Sequence, residues 1–126
     1  MVESQFTQAI NRAVREHGVY CWKISDRYRA GVPDCWYSGP GGDIWIEYKY
    51  LKRQPRRWYT PGLSQLQLQW LNERHEEGRR VAVVVGCPDG AQWLEPPYEG
   101  QAVWPAFAPR KEIIKRICTI VGLASV

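Results

Sequence analysis

Long apolar runs are missing from this 126-residue sequence, and so is the apolar block of a secretory signal near the N-terminus. Those two absences predict a cytoplasmic protein. Only two histidines are present, and the four cysteines (21, 35, 87 and 118) stand far apart with no C-x-x-C. That argues against a structural zinc site and predicts reduced thiols packed as small apolar groups. There is no internal repeat and no low-complexity tract. Acidic residues are absent between Glu47 and Glu73, although the chain carries 13 of them. The same interval holds Lys49, Lys52, Arg53, Arg56 and Arg57, interleaved with Tyr50, Trp58 and Tyr59. With a net charge of +4, a basic and aromatic loop of this kind suits a phosphate backbone and its neighbouring bases.

What is present fits one domain spanning residues 1–126. At this length a single core is feasible, and 44% apolar residues are enough to fill it. The organising stretch is G-V-P-D-C-W-Y-S-G-P-G-G-D-I-W-I-E-Y-K, residues 31–49. It predicts a strand at 35–38, a turn at Gly39-Pro40-Gly41-Gly42 and a second strand at 44–50. Alternation puts Ile44, Ile46 and Tyr48 on one face, and Trp45, Glu47 and Lys49 on the other. Backbones of Glu47 and Lys49 would stand about 6.5–7 Å apart along the strand. Pairing as a hairpin would return Asp34 to their neighbourhood. Two carboxylates and one ammonium then make a site for a hard metal ion with a charged group beside it. The other P-D, Pro88-Asp89 in C-P-D-G, has no E-x-K after it and reads as a turn.

Around this stretch the periodicities are legible. Residues 4–17 predict an amphipathic helix carrying Phe6, Ala9, Ile10, Ala13 and Val14, with Ser4 as cap and Gly18 as stop. Glu3 at its start favours the helix dipole. Residues 19–25 predict a strand, and 26–31 a loop carrying Arg27 and Arg29, residues for phosphate contact or plain solvent exposure. A second helix is expected at 64–77, with Ser64 and Gln67 as a capping box and Leu63 and Leu68 as a staple. Residues 81–85 are apolar on both faces, as a buried strand requires, and would lie parallel to strand 44–50 across that helix. Beyond Gly86 the pattern thins: a short strand at 92–95, then a helix at 109–121 with Ile113, Ile114, Ile117, Ile120 and Val121 in one stripe. That stripe would pack on the sheet or on a second subunit.

G-V-P-D, then I-E-Y-K, then L-S-Q-L-Q-L-Q-W-L resembles the PD-(D/E)XK nuclease superfamily. The likeness is greatest to its VRR-NUC branch of small stand-alone, often phage-borne nucleases, with Holliday-junction resolvases next. It covers roughly residues 3–86; the extension 87–126 lies outside it. The resemblance implies an α/β, restriction-endonuclease-like core in the order α-β-β-β-α-β. A mixed central sheet would be flanked by helices, with a further C-terminal helix. It also implies a metal-dependent DNA endonuclease of a bacterial or phage-infected cell, selective for branched, flap or junction DNA. Asp34, Glu47, Lys49 and Gln67 would be catalytic, with Gln65 and Gln69 as weaker substitutes for Gln67. Mg²⁺ or Mn²⁺ would be held by Asp34, Glu47, the Tyr48 carbonyl and Glu3, with Glu16 as the alternative to Glu3. Lys23, Arg27, Arg29, Lys52, Arg53, Arg56 and Arg57 would contact nucleic acid. A homodimer is expected, with no membrane partner and no organic cofactor. Two roles stay open at this level: S-x-x-Q explains Gln67 as a cap or as a site residue, and the dipole explains Glu3 as well as a metal does. A binding module that kept the fold without cleaving is the alternative function.

Overall fold

The computed structural model describes residues 3–24 and 30–123, the side chain of Glu3 excepted. In chain order the elements are α1 (Glu3–Glu16), β1 (Tyr20–Lys23), β2 (Cys35–Gly39), β3 (Gly42–Tyr50), α2 (Gln65–Glu76), β4 (Val81–Cys87), β5 (Gly90–Leu94) and α3 (Arg110–Ile120). The five strands form one mixed sheet in the order β1-β2-β3-β4-β5, parallel only between β3 and β4. This is the expected α/β architecture, helix, three strands, helix and strand, with β5 and α3 added. No helix among the described residues is long and apolar enough to cross a membrane.

Alternation along β3 decides which core each side chain enters. Ile44, Ile46 and Tyr48 join Phe6, Ile10 and Val14 of α1 and Ile113, Ile117 and Cys118 of α3 in one core. Burying each such aliphatic or aromatic side chain contributes about 1.5–3 kcal/mol. The opposite face packs Val81, Val83 and Val85 of β4 against Leu71 of α2, with Trp45, Trp70 and Tyr98 around them. Tyr48 is held from its far end as well: its hydroxyl lies 2.6 Å from that of Tyr37, which donates to Asn11 Oδ1 at 2.6 Å. Its two neighbours, Glu47 and Lys49, are thereby presented to the α2 side.

Several boundaries differ from the sequence expectation, each for a local reason. Pairing continues to Gly39 opposite Gly42, so the expected four-residue turn contracts to Pro40-Gly41. Gly42 takes φ +141°, a conformation open to glycine. Helix α1 starts at Glu3, which places Ser4 inside the first turn and not at the cap. Its buried stripe is Phe6, Ile10 and Val14 together with Thr7 and Asn11, whereas Ala9 and Ala13 sit at its margin. Strand β5 begins at Gly90 directly after the Pro88-Asp89 turn. The α3 stripe packs within the chain, on α1, β3 and β5. All four cysteines are free, and Cys35, Cys87 and Cys118 are buried.

The segment between β5 and α3 is ordered by polar ties that the sequence does not advertise. Asn72 donates to the Tyr98 carbonyl at 2.6 Å and accepts from the Tyr98 amide at 2.8 Å. Tyr59 and Val103 exchange backbone hydrogen bonds of 3.0 and 2.7 Å. The basic loop and the C-terminal extension are therefore stitched to one another.

Candidate active site

The β2–β3 register pairs Cys35 with Ile46, so the residue preceding β2 comes back beside Glu47 and Tyr48. Asp34 Oδ2 accepts the Tyr48 amide at 2.9 Å. Gly31 makes this approach possible. Its φ is +90°, and a Cβ there would lie 2.5 Å from the Leu66 carbonyl oxygen in the first turn of α2. The glycine of G-V-P-D thus lets the Asp34 segment close on α2, a contact that any side chain would obstruct.

Glu47 is 4% exposed. Its Oε2 accepts from Gln67 Nε2 at 2.9 Å and stands 3.5 Å from Lys49 Nζ. Lys49 Nζ donates to Gln67 Oε1 at 3.1 Å, and that oxygen also accepts the Ser64 amide at 2.9 Å. Gln67 N in turn donates to Ser64 Oγ at 3.1 Å. The capping box and the carboxylate cluster are one network. The two explanations of S-x-x-Q are not exclusive: the side-chain oxygen that caps α2 also receives the lysine, and the same amide nitrogen grips Glu47. Gln69 instead donates to Glu73 on the surface, and Gln65 is exposed.

The Lys49–Glu47 contact is not a solvent-exposed surface pair, because the carboxylate is buried. Removing a partner from such a pair leaves a desolvated charge behind. Burial raises the Asp34 pKa above its ordinary value of 3.8, against the Tyr48 amide and the Lys49 and Lys23 charges, which pull it down. Glu47 is buried and Asp34 is desolvated, so two carboxylates stand here with reduced access to water. Among the described residues no group of three or more His, Cys, Asp or Glu side chains converges. The acidic side chains that β3 and the segment before β2 bring together here are Asp34 and Glu47.

The remaining expected residues divide. Glu3 begins α1, but its side chain lies outside the described residues, as do Arg27 and Arg29. Glu16 stands at the other end of α1. With Lys23, Arg12 and Arg15 it lines a surface cleft on the α1 side of the sheet. Lys23 pairs with Cys35, which places it on the face opposite the Glu47 cluster, although its charge still reaches Asp34. Lys52, Arg53 and Arg56 are exposed and line a cleft of about 750 Å³ whose other wall is Pro88-Asp89; Arg57 is exposed beside them. This cleft lies where β3 and β4 end, at the carboxyl ends of the parallel pair, where ligands of open α/β sheets bind.

Neither Gly31 nor the Ser64 amide is marked as a site group in the sequence. The φ > 0 position of Gly31 has no periodicity to reveal it, and a backbone donor leaves no residue-type signal at all.

Neither a protein-family model nor a curated protein matches the chain. Solved structures do. Hjc, a Holliday junction resolvase from the archaeal hyperthermophile Archaeoglobus fulgidus, superposes with a TM-score of 0.61 at 15% identity, over 88% of this chain and 98% of that one. A VRR-NUC domain superposes with a TM-score of 0.53 at 22% identity, over 68% of this chain and 84% of that one. The chain shares the fold of these two neighbours, here a mixed five-stranded sheet with flanking helices.

Proposed function

We propose that this protein is a divalent-metal-dependent endonuclease that hydrolyses phosphodiester bonds in DNA, selective for branched, flap or junction forms. The observation that carries the reading is the Glu47–Lys49–Gln67 network at the carboxyl end of β3, with Asp34 held beside it on the Tyr48 amide, in a nuclease-like fold. Asp34 and Glu47, with the Tyr48 carbonyl, are the donors for Mg²⁺ or Mn²⁺, and Glu3 remains a further candidate. An ion held there would supply Lewis-acid stabilisation of the phosphate and a more acidic water.

The chain's own groups supply the rest. Lys49 stands 3.5 Å from the Glu47 carboxylate and is partly open to solvent, so it can donate to a non-bridging oxygen as negative charge accumulates at phosphorus. Gln67 acts as a positioning residue: with its oxygen held by Ser64 N and Lys49 Nζ, its amide nitrogen fixes one oxygen of Glu47. Lys52, Arg53, Arg56 and Arg57 hold the backbone of the substrate. Homodimerisation belongs to the same proposal: β1 is a sheet edge on which Tyr20 and Trp22 are 62% and 50% exposed, a surface suited to self-pairing.

Two substitutions separate capping from chemistry. Ser64→Ala removes the hydroxyl acceptor but keeps the Ser64 amide, so it should cost about 0.5–2 kcal/mol in denaturant unfolding and spare the cleavage rate. Gln67→Ala should cost a similar amount and also slow cleavage about 10- to 100-fold by releasing Glu47. Equal rates for the two variants would deny Gln67 any role beyond the cap.

The test of the function is cleavage of labelled duplex, flap and four-way-junction DNA in Mg²⁺, Mn²⁺ and EDTA. Metal-dependent cutting with a ranking among the three substrates is expected. A folded protein that binds DNA and cuts none of them in either metal would make it a binding module that retains the fold.

A further inference from the structure

Two tryptophans stand side by side on the surface beside the basic loop, and nothing in the catalytic network uses them. Trp58 is 65% exposed and Trp104 55%, with ring centroids 5.4 Å apart at 71°. Other tryptophans here find protein partners: Trp45 and Trp70 pack on each other at 5.3 Å within the α2-side core. Leaving two large rings open to water forgoes burial that each would gain in a core, so an exposed pair marks a contact surface.

The pair is also held rigid. Tyr59 and Val103, the residues next to each ring, exchange two backbone hydrogen bonds. Gln92, itself buried, donates to the Trp104 carbonyl at 2.9 Å and accepts from Tyr59 Oη at 2.7 Å. Both backbones are therefore fixed before any ligand arrives, which reduces the entropy cost of stacking on the rings. Immediately before Trp58 come Lys52, Arg53, Arg56 and Arg57, all exposed, in the interval without a carboxylate.

An occupant must satisfy an apolar, flat surface and a row of cations at once. A second copy of this chain would bring the same cationic loop to the contact. Unpaired nucleotides satisfy both demands, because the base offers a π face and the phosphate an anion. Bases inside a duplex are already stacked on each other and present no free face. We propose that Trp58 and Trp104 form a stacking subsite for an unpaired nucleobase, so that this protein selects single-stranded tails and flaps over continuous duplex. The proposal rests on the nucleic-acid reading of the site and names the substrate feature recognised.

Binding is measured in EDTA, so that no cleavage intervenes, with labelled single strand, single-stranded flap and blunt duplex of matched length. Wild type, Trp58→Ala, Trp104→Ala and Trp58→Phe are compared, with thermal melting as the folding control. Each alanine variant should weaken single-strand and flap binding about 5- to 150-fold, the range for one stacked base, and leave duplex binding within about twofold. Phenylalanine should recover most of the loss. Unchanged single-strand affinity in both alanine variants, or an equal loss on all three DNAs, would overturn the proposal. A wild type that cuts duplex while the tryptophan variants bind normally refutes the subsite alone. Tryptophan-dependent strand binding without any cutting in metal refutes the nuclease reading and keeps the subsite.

Discussion

Asp34→Asn should lower metal-dependent cleavage by at least ~10²-fold while the metal-free protein melts at the same temperature or higher. The two halves of this expectation come from one cause. Burial raises the Asp34 pKa above 3.8, outweighing the Tyr48 amide and the nearby lysines. Between 3.8 and that higher native value, the unfolded chain has already released a proton that the folded chain retains. The contribution of this group to stability is therefore full below the unfolded pKa and is lost as pH rises through the native one. Near neutral pH the ionised side chain is a net cost to the metal-free fold. Asparagine keeps an acceptor for the Tyr48 amide and removes the charge. Melting of the metal-free variant should accordingly depend less on pH above the ordinary carboxylate range than that of the wild type. A marked loss of stability at neutral pH would mean that Asp34 is a structural anion and not a site carboxylate maintained against the fold's preference.

Lys49→Ala should reduce the single-turnover rate about 10²- to 10³-fold at saturating DNA and metal, with affinity for DNA in EDTA changed far less. The geometry distinguishes this lysine from the others. It lies 3.5 Å from a buried carboxylate and 3.1 Å from Gln67, whereas Lys52, Arg53 and Arg56 line an open cleft. Charges of the second kind neutralise phosphates and release counterions, so each alanine there should reduce the salt slope of binding by about one and leave the saturated rate nearly intact. Lys49→Arg is not a conservative control, since a planar guanidinium cannot occupy the compact ammonium position between Glu47 and Gln67. Equal effects of Lys49→Ala and Lys52→Ala on rate and on affinity would reduce Lys49 to another backbone contact.

Strand β3 is legible in the sequence because its alternation is strong and its two faces are buried by different partners. A shift by one residue would have placed Ile46 beside Gln67. The hairpin that returns Asp34 is legible too, as a glycine-rich turn between two aromatic runs. Pro33-Asp34 and Pro88-Asp89 are told apart by the E-x-K at residues 47–49, which only the first of them precedes at hairpin distance. Gln67 is undecidable in sequence for a physical reason, since the same side chain serves the cap and the carboxylate. Ser4 has the residue type of a cap, but residue type alone does not tell whether the helix begins one position earlier.

The extension after Gly86 is the least legible part. Its segment from 95 to 108 has no helical or strand period, and its order comes from nearby Gln92 and from Asn72 and Tyr59, which are widely separated from it in the chain. The Trp58–Trp104 pair joins residues 46 positions apart, and neither periodicity nor motif connects them. The roles expected of Glu3, Arg27 and Arg29 fall on side chains outside the described residues.

The most direct test of the central claim is cleavage of one labelled flap substrate by wild type and Glu47→Gln, each in Mg²⁺ and in EDTA at matched folded concentration. Glutamine fills the same space, retains a carbonyl oxygen for the Gln67 amide and removes the charge. Cutting by the wild type in Mg²⁺ alone, absent from Glu47→Gln in both conditions, is the predicted result. Cutting by a folded Glu47→Gln at the wild-type rate would contradict the assignment of this network as the active site.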